Sequence, residues 1–130
     1  MLRGLVASIL VIAIAVASGC TRNQPIYNVE NAAVPIAGKQ LSVDQVRTAI
    51  IRALVQKRWS VSDESEGRLE ATIHVRSHMA RINIDYSPTR YSITYKDSAV
   101  LNYDGATIHR NYNRWIMQLQ DIINRELLLQ

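Results

Sequence analysis

At 130 residues the chain is long enough for one domain with a core of its own. Its single cysteine, Cys20, excludes an internal disulfide, so that core must carry the stability. The balance is basic, with a net charge of +4, and with no Phe the aromatic bulk comes from six Tyr and two Trp.

In chain order, Met1, Leu2 and Arg3 form a short segment with one positive charge. Residues 5–17 are apolar apart from Ser8. That run has the length of a signal-peptide hydrophobic region and is too short to cross a hydrocarbon core of roughly 30 Å. Ala17, Ser18 and Gly19 are small and stand directly before Cys20. Small side chains let a peptidase grip an extended backbone, and the thiol supplies the nucleophile for a thioether to diacylglycerol. The stretch resembles the lipobox of bacterial lipoproteins, with Ala17 where Leu is commonest. That resemblance implies cleavage before Cys20 and acylation of its sulfur and new amino group. Two or three acyl chains exceed what stable anchoring needs, at ~0.8 kcal/mol per buried methylene. In Gram-negative lipoproteins an Asp after the Cys marks inner-membrane retention. Thr21 is not Asp, so the resemblance implies an outer-membrane anchor and a domain facing the periplasm. Nucleic acid is not an expected partner behind a secretion signal. The expected division is a signal peptide over 1–19, a lipidated N-terminus and tether over 20–40, and a periplasmic α+β domain over 41–130.

Pro25, Pro35 and Gly38 interrupt the tether, and no period persists there. As a free coil its twenty residues would average roughly 25 Å end to end. Ile26, Tyr27 and Val29 are apolar, however, and leave open a short edge strand or a strap over the domain.

Ser42 predicts a helix start, with Gln45 completing a capping box and an end near Lys57 or Arg58. Trp59 and Val61 alternate with serines, which suggests a strand. Then Leu69, Ala71, Ile73 and Val75 alternate with polar residues, as do Ala80, Ile82, Ile84 and Tyr86, and again Tyr91, Ile93 and Tyr95. These are half-buried antiparallel strands. Pairing Val75 with Ile82 and Ile73 with Ile84 puts apolar on apolar, with His78 and Met79 as a poor two-residue turn. Pairing Tyr86 with Tyr91, Ile84 with Ile93 and Ile82 with Tyr95 does the same in the next hairpin. Residues 98–108 are a connection without a clear period. A second helix is predicted over about 111–128, with Asn113 and Arg114 on its polar side. Helix, four strands, helix predicts an α+β two-layer sandwich with both helices on the sheet's apolar face.

Candidate partner-binding residues fall in two groups. The polar sheet face gathers His74, Arg76, Arg81, Arg90 and Lys96, a basic balance suited to an anionic partner. The loop-to-helix junction carries His109, Arg110 and Asn111, with Asn111 as the candidate cap. His74 and His78, four residues apart on one extended strand, would stand ~13 Å apart and could not share an ion. No metal site, cofactor or catalytic residue is expected. Asp104 with His109 is the one dyad that can be drawn, and no nucleophile motif accompanies it. Tyr86, Tyr91, Tyr95, Tyr103 and Tyr112 are candidates to cluster at one end.

The N-terminus and layout resemble the small lipoproteins of Gram-negative bacteria, and the helix–strands–helix order resembles the lipopolysaccharide-assembly lipoprotein in architecture alone. The resulting expectation is a non-catalytic, membrane-anchored binding or scaffold lipoprotein. Its partner would be an envelope protein, a glycan or lipopolysaccharide. The alternative is an envelope enzyme or enzyme regulator with a site near His109. Oligomeric state is not legible.

Overall fold

Alternation becomes a one-sided sheet in the computed structural model, which describes residues 22–36 and 38–130. The expected signal peptide and the lipidation of Cys20 lie outside the described residues. The elements are β1 (Asn23–Pro25), β2 (Val29–Ala33), α1 (Val43–Gln56), β3 (Ser60–Ser65), β4 (Arg68–Val75), β5 (His78–Tyr86), β6 (Arg90–Ala99), β7 (Thr107–His109) and α2 (Arg110–Leu128). The class is α+β, as expected. The strand count is not four: β2-β6-β5-β4-β3 form a five-stranded antiparallel sheet, and β1 pairs with β7 in a second, two-stranded one. Both additions come from segments without a period, because a short edge strand needs few residues and leaves no alternating signature.

Leu69, Ala71 and Ile73 of β4, Ala80, Ile82 and Ile84 of β5, and Tyr91 and Ile93 of β6 are buried in one cluster. Val46, Ala49, Ile50, Ala53 and Leu54 of α1 and Tyr112, Ile116, Leu119, Ile123 and Leu127 of α2 cover it. Helix α1 starts as predicted, with Ser42 and Gln45 exchanging both capping-box hydrogen bonds. Its C-terminal end closes with Trp59 N–H donating to the Leu54 carbonyl (2.9 Å) and Arg58 N–H to Val55 (3.1 Å). That closure puts Arg58 at φ +62, a left-handed position that glycine usually fills.

The second hairpin has the predicted register: Tyr86 faces Tyr91, Ile84 faces Ile93 and Ile82 faces Tyr95. In the first the partners are displaced by four residues and the turn by two. Val75 pairs with His78, Ile73 with Ala80 and Ala71 with Ile82. The turn is therefore Arg76 and Ser77, with Arg76 at φ +56, and His78 and Met79 belong to β5. A slip by an even number of residues keeps every side chain on its face, so pattern alone could not detect it. The nine residues of β5 separate the two ends of the sheet by roughly 26 Å. One end carries Arg76. The other carries Pro88.

The stretch expected as a tether is largely built into the domain. The Tyr27 N–H donates to Asn113 Oδ1 (2.9 Å), and Asn113 Nδ2 donates to the Pro25 carbonyl (2.9 Å). Tyr27 Oη also donates to Gln120 (2.6 Å). Asn113, expected on the polar side of α2, is only 3% exposed because this amide satisfies the strap's backbone. Asn113→Ala should cost roughly 1–3 kcal/mol in urea unfolding, the penalty for stranding buried polar groups. It should also speed amide exchange at Tyr27 far more than at Ile82, and equal acceleration at both would remove Asn113 as the clasp.

Candidate functional site

On the basic sheet face expected from the sequence, Arg81 and Lys96 share one acidic partner. Glu70, only 15% exposed at its side chain, lies between Lys96 and Arg81 and is hydrogen-bonded to Lys96, with Arg81 Nε at 3.4 Å. The Lys96 hydrogen bond, more than the neighbouring charges, holds the Glu70 carboxyl below its ordinary range despite desolvation. Arg81 also donates to Thr72 (3.2 Å). Arg68 grips Asp85 through a two-pronged contact of 2.6 and 3.0 Å. Arg90 is at the Pro88 end and donates to the Asn31 carbonyl (3.2 Å). The five residues expected as one patch are thus divided: Arg81 and Lys96 face Glu70, Arg90 is remote, and His74 and Arg76 stand elsewhere.

His74 and Arg76 line a cleft of about 450 Å³ at the Arg76 end, with Gln56, Lys57, Arg58, Ile73, Val75, Trp115 and Gln118. Three elements meet there: the end of α1, the end of β4 and the second turn of α2. No carboxylate lines it, and Lys57, Arg58 and Arg76 have no ion-pair partner among the described residues. Both arginines occupy left-handed backbone, where a side chain costs about 1 kcal/mol and glycine does not. The cleft offers cations, a half-buried indole and an amide within one concavity. Such a set can receive a phosphate or carboxylate beside an apolar or planar group. Sequence reading missed Lys57, Arg58, Trp115 and Gln118, because they come from separate helices. The one local signal was an arginine directly past a helix end, where glycine is common.

The junction group is used differently from expectation. The helix cap is His109: its Nδ1 accepts from the Asn111 N–H (3.2 Å), so Asn111 is a donor and no cap. The Arg110 N–H donates to the Arg22 carbonyl (2.8 Å). Asp104 does not join His109. Its carboxylate accepts from the Thr107 and Ala106 N–H groups and the Thr107 hydroxyl at 2.6–2.9 Å, and these bonds hold it at about 2. His74 is on β4 and His78 on β5, so the single-strand separation expected for them does not apply. The His78 and His109 rings lie 6.4 Å apart, and no cluster of three metal-ligating side chains occurs among the described residues. Among the tyrosines, Tyr95 stacks with Tyr103 and meets Tyr112 edge-on, whereas Tyr86 and Tyr91 sit at the Pro88 end. Burial pushes the Tyr91 hydroxyl up to about 12 while it donates to Asn124 (2.7 Å). Among the described residues no helix is long and apolar enough to cross a membrane.

Burial lowers the pKa of His109, and His78, Arg110 and Arg22 lower it further by repulsion. The unfolded ring, near 6.5, therefore takes its proton first. The contribution of the neutral cap is complete above that value and is lost as pH falls through the folded pKa. Urea midpoints should decline from about pH 7 to about pH 5 less steeply in His109→Asn, which retains a capping oxygen, than in the wild type. Identical slopes would exclude His109 as the source. Compared with known proteins, the chain matches no family model and no curated sequence.

Proposed function

We propose that the chain is a non-catalytic lipoprotein of the cell envelope, anchored through Cys20, that binds an anionic partner in the cleft between α1, β4 and α2. The observation that carries this reading is the contrast between the two basic regions. On the sheet face Arg81 and Lys96 share Glu70 as an ion-pair partner, and Arg68 has Asp85. At the cleft Lys57, Arg58 and Arg76 meet no acid, and two of them occupy backbone better suited to glycine. Unbalanced charge combined with local strain is common where a surface serves binding rather than folding. The cations suit the phosphate or uronate groups of an envelope glycolipid or glycan, and Trp115 supplies a face for a sugar or acyl group.

The test uses the same strain. Arg58→Gly with Arg76→Gly should leave stability within about 1 kcal/mol of the wild type, since each substitution relieves a left-handed position. It should abolish photocrosslinking of the partner from Gln118 in intact cells. Loss of folding would mean the arginines are structural, and unchanged capture would reject the cleft. Separately, Cys20→Ser should release a folded domain from the membrane fraction. A variant that stays bound and lipid-labelled would reject the anchor.

A further inference from the structure

Where the chain joins the domain limits where the domain can sit. The Arg22 carbonyl is fixed to the Arg110 N–H at the start of α2. Only Thr21 separates Arg22 from Cys20. Two residues reach at most ~7 Å, against the roughly 25 Å of a free twenty-residue coil. A lipid on Cys20 would therefore hold the Arg76 end of the domain close against the surface that the lipid enters.

The rim around that point has the composition of an interfacial surface. Arg22, Arg110 and Arg114 are exposed and have no ion-pair partner among the described residues. Arg110 and Arg114 share a shallow depression with Met117, which is 49% exposed. The loop after β6 borders the same point, because Asn23 Nδ2 donates to the Asn102 carbonyl (3.0 Å) and the His109 N–H to Leu101 (2.8 Å). This loop holds out Val100, 62% exposed, and Tyr103. Val100 has φ +62, a conformation that β-branched residues avoid. Strain and exposed methyl groups both disfavour valine here in water, and a cover of lipid removes the second cost. The acid in this loop, Asp104, is bound to its own backbone.

We propose that this rim seats on an anionic phospholipid leaflet. Arg22, Arg110 and Arg114 lie among the headgroup phosphates, and Val100, Tyr103 and Met117 at the boundary with the acyl chains. The inference rests on the Cys20 anchor proposed above and goes beyond it by fixing the orientation of the domain. Arginine matches phosphate through its planar fork of donors. The cleft beside Trp115 is then held within reach of the same headgroup layer.

The experiment uses the full chain extracted from the membranes of expressing cells. It is reconstituted into vesicles of phosphatidylcholine, with or without phosphatidylglycerol. Photoreactive benzoylphenylalanine is carried at Met117 or, at the opposite end, at Ile36. Crosslinking to phospholipid is expected from Met117 and not from Ile36, and only strongly when phosphatidylglycerol is present. Arg110→Gln with Arg114→Gln should reduce it roughly tenfold or more, each arginine being worth about fivefold near such a surface. Val100→Asn should also reduce it while folding at least as well, since Asn tolerates left-handed backbone. Equal crosslinking from both positions, equal yield in neutral vesicles, or indifference to the substitutions would overturn the seating. Flotation separates the two ideas. A chain that floats with vesicles but crosslinks no lipid from Met117 keeps the anchor and loses the seating; one that floats with no vesicle loses both.

Discussion

Eight side chains on three central strands, from Leu69 to Ile93, must leave water together, and all of them point to one face. At roughly 25 cal/mol per Å² of apolar surface, this burial is a large favourable term. The other face can then stay wet, and the two amphipathic helices have only one place to go. Their stripes are complementary to the sheet in the simplest sense, since each element needs a partner for its single apolar side. The register slip in the first hairpin is tolerated for the same reason. It changes which side chains are neighbours without changing which are buried.

Charge is arranged by position along that layer. On the wet face Glu70 makes cross-strand contacts with both Arg81 and Lys96, and Asp85 with Arg68. Exposed pairs of this kind add little stability, but they cancel the local field. At the Arg76 end the elements terminate, turn residues replace paired ones, and Lys57, Arg58 and Arg76 remain unbalanced. The net positive charge of the chain is therefore expressed more at one end than over the whole surface. Arg22, Arg110 and Arg114 extend the same character around the start of α2. A cleft and a rim of like charge, adjacent to the point where the chain joins the domain, give the molecule a polarity that its composition does not reveal.

The buried amide of Asn113 links these features. By satisfying Pro25 and Tyr27 it holds the N-terminal strap against α2, and the strap in turn supplies β2 to the edge of the sheet. A segment that would otherwise have been a long leash becomes a fixed part of the fold. Arg22 is thereby held at Arg110.

Elements with repeated local pattern were legible: both helices, the capping box of Ser42 and Gln45, strands β3 to β6 and the register of the second hairpin. Each depends on periodic burial or on one capping contact, and these are properties of neighbouring residues. β1 and β7 were not legible, and β2 only as an open alternative for the segment around Val29, since three to five residues cannot show a period and the partners lie up to 86 residues away. The turn at Arg76 was misplaced because slips by an even number of residues preserve facing. The candidate site was half legible. His74, Arg76, His109 and Arg110 were singled out by type, but the contacts of Glu70 with Arg81 and Lys96 were not foreseen. The sequence by itself determined the elements, the apolar face and the overall charge, all of which are written in local order. Only the tertiary structure decided which cations stay unbalanced, that Asn113 is buried, and that the strap ends at Arg110, because each of these depends on groups brought together from distant parts of the chain.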